Sequence, residues 1–143
     1  MNAPVNPITA REHEFVEHLA ATLRDQGFRV RTEVSNMGQS VDLVATRGRW
    51  VTVIEAKLAD WKRALSQCRT HEHIADYICI ALGTASVPHG LIEAVAGLGY
   101  GIIHYNRTIK EFEWVVQPRL NRAVWGPQRK YWAGKIRKIP NAN

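Results

Sequence analysis

Ser40-Val41-Asp42-Leu43-Val44-Ala45-Thr46-Arg47-Gly48-Arg49-Trp50-Val51-Thr52-Val53-Ile54-Glu55-Ala56-Lys57 reads as two strands folded back on each other. β-Branched and apolar residues crowd both arms, and Gly48-Arg49 between them has the glycine-first form of a two-residue type II′ hairpin loop. Counting outward from that loop sets Arg47 against Trp50 and, five steps on, Asp42 against Glu55. Directly opposed residues share a sheet face with Cβ atoms about 4.5–5.5 Å apart. Lys57, two residues past Glu55, returns to the same face by strand alternation. The expected result is two carboxylates and an amine on one patch. The expectation holds only for an even-length loop, because a three- or five-residue loop would place the acids on opposite faces.

Like charges facing each other across a ladder are destabilising, and a divalent cation would offset them. Carboxylates, backbone carbonyls and waters are the oxygen ligands Mg²⁺ favours. Such an ion can lower the pKa of a bound water and neutralise charge on a phosphodiester. An adjacent ammonium adds electrostatic stabilisation. Taken alone, a Glu-x-Lys on a strand is common and means only an exposed edge.

Together with a helix that ends at Gln26-Gly27-Phe28, the segments Ser40-Val41-Asp42-Leu43-Val44-Ala45 and Ile54-Glu55-Ala56-Lys57 resemble the PD-(D/E)xK nuclease superfamily, the archaeal Holliday-junction resolvase type most closely. The resemblance covers roughly residues 8–82. Val41 stands where the proline of the family name would be. The resemblance implies that Asp42 and Glu55 bind Mg²⁺ (Mn²⁺ substituting), that Ala56 adds its carbonyl, and that Lys57 assists the attacking water. It also implies a metal-facing glutamate on the first helix, where Glu12, Glu14 and Glu17 compete. Phe15, Val16, Leu19 and Leu23 stand three, four, seven and eleven residues after Glu12, so helical spacing selects Glu12. Acids in a first helical turn also suit the helix dipole without any further role. A polar residue on the second helix that positions water or phosphate falls, by the same resemblance, on Gln67.

The remaining polar residues near these segments read as structural. Ser35 and Ser40 suit turns. His71-Glu72-His73 lacks HExxH spacing, and residues two apart on a helix diverge, so the expectation is an exposed surface. Cys68 and Cys79, with no CxxC pairing, read as small buried hydrophobes of a reducing compartment. No apolar stretch is long enough to cross a membrane, and Met1-Asn2-Ala3-Pro4 lacks a signal-peptide pattern, so a cytoplasmic protein is expected.

Charge is unevenly placed. Residues 1–118 hold 12 Lys/Arg and 13 Asp/Glu, whereas residues 119–143 hold seven basic residues and no acid, so the net +6 belongs to the C-terminal segment. Arg129, Lys130, Trp132, Lys135, Arg137 and Lys138 suit phosphate and stacking contacts with nucleic acid.

The elements expected in order are a helix over 8–26, a strand over 28–34, the hairpin, a helix from the Asp60 cap to about His73, a buried strand over 76–82, a helix from Pro88 to Leu98, a strand over 100–105 and an edge strand over 112–116. Up to that edge strand this is an α/β fold of order αβββαβαβ, a restriction-endonuclease-like mixed sheet flanked by helices. The expected organisation is a nuclease-like domain over 1–118 and a basic, aromatic-containing extension over 119–143. The leading functional expectation is a Mg²⁺-dependent endonuclease hydrolysing DNA phosphodiesters, with branched DNA among the substrates. A twofold dimer would suit paired cuts on two strands. The alternative is an inactive or assembly-dependent DNA-binding module on a nuclease fold, and action on RNA is a third reading.

Overall fold

The computed structural model describes residues 7–36, 38–121 and 134 of the 143. Its elements run α1 (Pro7–Asp25), β1 (Arg29–Asn36), β2 (Gln39–Arg47), β3 (Trp50–Lys57), α2 (Trp61–Thr70), β4 (Tyr77–Leu82), α3 (His89–Leu98), β5 (Gly101–Asn106) and β6 (Glu111–Val116). The six strands form one sheet in sequence order, β1 to β6. The β1–β2, β2–β3 and β5–β6 pairings are antiparallel, and the α2 and α3 crossovers make β3–β4 and β4–β5 parallel. The expected α/β class and element order are observed.

Local chemistry sets the boundaries. Gly27 ends α1 at φ 94°, in the left-handed region that glycine enters without a Cβ clash. The Asp60 side chain accepts the Arg63 N–H at 3.1 Å, capping α2 as expected. In the β2–β3 loop Gly48 has φ 58°, while the non-glycine residues of positive φ among those described are Glu33 and Lys110, so Arg49 stays negative. That combination is the II′ pattern. Arg47 pairs with Trp50 and Leu43 with Ile54, the register counted from the loop.

The apolar residues divide between the two faces. Phe15, Val16, Leu19, Ala20 and Leu23 of α1 pack on Leu43, Ala45, Ile54, Ala56, Cys79, Ala81 and Ile103. On the other face Ala64 and Cys68 of α2, with Leu91 and Val95 of α3, meet Val44, Val51, Val53, Ile78, Ile80, Leu82 and Ile102. β4 is buried along almost its whole length, as its unbroken apolar sequence requires in the middle of a parallel set.

β1 departs from the expected simple alternation. Glu33 has φ 54°, and a non-glycine residue there reverses the local pleat. Val30 and Val34 consequently join opposite clusters, and so do Leu43 and Val41 across the ladder. The register places Thr32 opposite Leu43 and Val34 opposite Val41, so the irregular step lies level with Asp42.

Beyond β6 the chain stays tied to the sheet. Arg119 N–H donates to the Gly99 carbonyl at 2.9 Å, and the Asn121 amide reaches the Glu72 and Ala75 carbonyls. The proposed nucleic-acid contacts Arg129, Lys130, Trp132, Lys135, Arg137 and Lys138 lie outside the described residues. Among the described residues no helix is long and apolar enough to cross a membrane.

Candidate metal centre

β3 carries the site because of where β2 stops pairing with it. The ladder ends at Leu43 and Ile54. One step further, the Asp42 carboxylate Oδ2 takes the place of a strand carbonyl and accepts the Ala56 N–H at 2.9 Å. A residue's N–H and C=O leave a strand toward the same neighbour, so the Ala56 carbonyl also points to the Asp42 edge. Lys57 alternates to the other edge, where its carbonyl accepts the Gly83 N–H at 3.1 Å. The three positions Asp42, Glu55 and Ala56 thus converge where the hairpin opens.

Burial makes this convergence costly for two acids. Glu55 is 0% exposed, and both its carboxyl oxygens are buried with no well-formed hydrogen bond to a protein group. Burial raises its pKa, opposed by Asp42 and Lys57. Burial, then the Glu55 charge, push Asp42 from an ordinary 3.8 up to about 7, although the Ala56 N–H and Lys57 favour its ionised form. A like-charged buried pair with raised pKa values belongs to catalytic or ion-binding sites more often than to a core.

Lys57 lies at the mouth. Its Nζ is 3.5 Å from Glu12 Oε2, with the two side chains 11% and 23% exposed. The structure brings together four of the residues selected from sequence: Glu12, Asp42, Glu55 and Lys57. It separates the other two helix acids, since Glu14 is exposed and Glu17 accepts from Thr32 Oγ1 at 3.4 Å on β1. Gln67 is half-buried on α2, with its Oε1 buried and lacking a protein hydrogen-bond partner. Ser35 and Ser40 are exposed and pair with each other across β1 and β2. Cys68 and Cys79 are buried free thiols, with pKa values raised chiefly by that burial.

One correction concerns His71, expected on an exposed surface. It is 1% exposed, and its Nε2 lies 3.2 Å from Glu55 Oε1. α2 ends at Thr70 and His71 is its C-cap, the backbone N–H donating to the Cys68 carbonyl at 3.0 Å. The buried stripe is Ala64, Cys68, His71, four and then three residues apart. Extending that spacing past the helix end would have found it. Burial lowers the His71 pKa, against the Asp42 charge and a hydrogen bond to the Ser40 backbone that raise it. With Nε2 toward Glu55, Nδ1 is left for the Ser40 carbonyl.

No protein-family model matches the sequence, and no curated protein is similar enough to serve as a relative. Among solved structures, a protein of unknown function from Silicibacter pomeroyi superposes with a TM-score of 0.69 at 19% identity, over 95% of this chain and 87% of that one. A second protein of unknown function gives 0.56 at 18% identity, over 65% of this chain and 58% of that one. The chain is therefore similar in fold to both. The mixed sheet, its strand order and the flanking helices are compatible with the restriction-endonuclease-like arrangement.

The donor set fits a hard divalent cation. Two carboxylates and a carbonyl leave positions for water, as Mg²⁺ prefers. No group of three or more His, Cys, Asp or Glu side chains with metal-holding geometry occurs among the described residues. The buried Glu55 oxygens, which lack a well-formed protein hydrogen bond, are the groups such an ion would satisfy.

Proposed function

We propose that the protein is a metal-dependent nuclease that hydrolyses DNA phosphodiesters. The observation that carries this reading is the buried Asp42–Glu55 pair beside the Lys57 amine, with the Glu55 oxygens lacking a well-formed protein hydrogen bond. Asp42, Glu55 and the Ala56 carbonyl would hold Mg²⁺ or Mn²⁺, and Glu12 would act through Lys57 or an ordered water. A cation there would supply Lewis acidity toward the phosphate and lower the pKa of the attacking water.

The chain's own residues account for the rest. Glu12 restrains Lys57 so that its ammonium faces the mouth and can hold the attacking water or a nonbridging phosphate oxygen. Asp42 is fixed by the Ala56 N–H, which leaves its other oxygen for the cation. Gln67 offers a polar group on the helix that covers this face. The basic residues Arg129, Lys130, Lys135, Arg137 and Lys138, with Trp132, would hold the DNA backbone.

Incubation of the purified protein with linear, supercoiled and branched DNA in Mg²⁺ or Mn²⁺, beside Lys57→Ala, tests the reading. Cleavage by wild type, abolished by EDTA and by the substitution, is expected. Preference for the branched substrate would extend the reading to a junction nuclease, and size-exclusion chromatography would show whether a dimer makes the cuts. Cleavage unaffected by Lys57→Ala would remove this site from the chemistry. DNA binding with no cleavage under any metal would leave a binding module.

A further inference from the structure

We propose that His71 is a positioning residue that holds the Glu55 carboxylate in its metal-binding orientation, an inference that rests on the metal-dependent reading above. The imidazole is fixed at three points. Its backbone closes the end of α2 through the Cys68 carbonyl, one ring nitrogen is engaged by the Ser40 backbone on β2, and Nε2 stands 3.2 Å from Glu55 on β3. It therefore joins the helix to both strands of the hairpin at the level of the acids. A leucine would fill the same place between Cys68 and the sheet without desolvating a polar ring beside a buried acid, which is unfavourable unless the polar contact serves a purpose.

Glu55 needs such a restraint. Its oxygens find no well-formed hydrogen bond in the protein, so the polar groups beside it, Asp42 and His71, decide where the carboxyl points. A ring held by Ser40 gives Oε1 a polar neighbour, and Oε2 would remain for a cation. Supporting groups of this kind around metal ligands typically change metal affinity by about 10–100-fold.

Calorimetric titration of the full-length protein with Mn²⁺ tests the inference, using wild type, Asp42→Asn, His71→Gln and His71→Asn. Glutamine keeps a nitrogen near the Nε2 position, and asparagine keeps one near Nδ1 only. Thermal melts in EDTA establish that each variant is folded. The expected result is about 10–100-fold weaker Mn²⁺ binding in His71→Asn and substantial recovery in His71→Gln. Cleavage by His71→Asn should then need more Mn²⁺ while approaching the wild-type rate at saturation. Folded His71→Asn that binds within threefold of wild type overturns the positioning role and leaves the metal site standing. Should His71→Asn not fold, His71→Ala takes its place: Mn²⁺ binding weakened beyond threefold supports the role, and binding within threefold overturns it. Wild type that shows no Asp42-dependent Mn²⁺ binding overturns the metal-dependent reading and this inference together.

Discussion

Asp42 makes the stability of the metal-free protein depend on pH, with a sign opposite to that of an ordinary surface aspartate. Burial and the neighbouring Glu55 raise its folded pKa from 3.8 to about 7. Between those values the folded chain holds a proton that the unfolded chain has released, so stability is full at the acid end and falls as pH rises toward 7. From pH 5 to pH 8 the linkage spans about two pH units, or roughly 2.7 kcal/mol at 1.36 kcal/mol per unit. Asp42 keeps part of its surface in water, and screening reduces this to about 1–2.5 kcal/mol. For a chain of this size that corresponds to a fall in Tm of roughly 4–10 °C. Glu55, also raised, adds in the same direction. His71, lowered by burial, gains stability as pH rises toward its unfolded value and opposes the trend below about pH 6.5. The comparison that isolates Asp42 is therefore wild type against Asp42→Asn, by urea or thermal unfolding in EDTA from pH 5 to pH 8. The substitution should flatten the decline by about 1–2.5 kcal/mol. Mg²⁺ at pH 8 should restore wild type and leave the variant unmoved, since the ion binds the folded state alone. Equal slopes for the two proteins would refute the coupled, buried pair on which the site is built.

Other substitutions probe separate parts of the molecule. Glu55→Gln, measured with a plasmid-nicking assay, should reduce cleavage by at least about 100-fold, the usual scale for removing a group that stabilises developing charge; an unchanged rate would separate Glu55 from the reaction. Asp76 is buried, and its Oδ2 accepts the Val51 N–H at 2.8 Å. Asp76→Ala should cost about 1–3 kcal/mol in urea unfolding by stranding that donor, and a change under 0.5 kcal/mol would show that the bond is dispensable. Leu19→Ala in the α1 face of the core, where Leu19 is fully buried, should cost about 2–5 kcal/mol. Replacing Arg129, Lys130, Lys135, Arg137 and Lys138 by glutamine should flatten the salt dependence of DNA binding by about 0.9 in log–log slope for each phosphate no longer neutralised; an unaltered slope would free the extension of that role.

Most of the fold is legible because its signals are local. Gly48-Arg49 favours a two-residue loop, that loop sets a register, and a short unbroken apolar run suits a strand covered on both faces. The shared face of Asp42, Glu55 and Lys57 follows from the register, whereas a glutamate on the first helix is implied by the family resemblance and helical spacing selects Glu12. β1 is harder. Nothing in Arg31-Thr32-Glu33-Val34 announces the left-handed step at Glu33, because its cause lies across the ladder, where β2 leaves regular pairing and its aspartate bonds to Ala56. Tertiary pairing there overrides local preference.

His71 escapes a sequence reading for a different reason. Trp61, Leu65, Cys68 and Glu72 read as one stripe, yet the sheet receives Ala64, Cys68 and His71, the neighbouring stripe. Both have helical spacing, and the larger residues make the first more conspicuous. Size favours the wrong stripe because α2 packs closely over β3 and β4, where small residues let the helix approach, and the bulky Trp61 and Leu65 remain partly buried at its flank. Close approach is also what puts a residue at the helix end within reach of Glu55. A polar residue that continues a stripe of small residues toward a buried acid is the signal by which such a contact can be found in sequence.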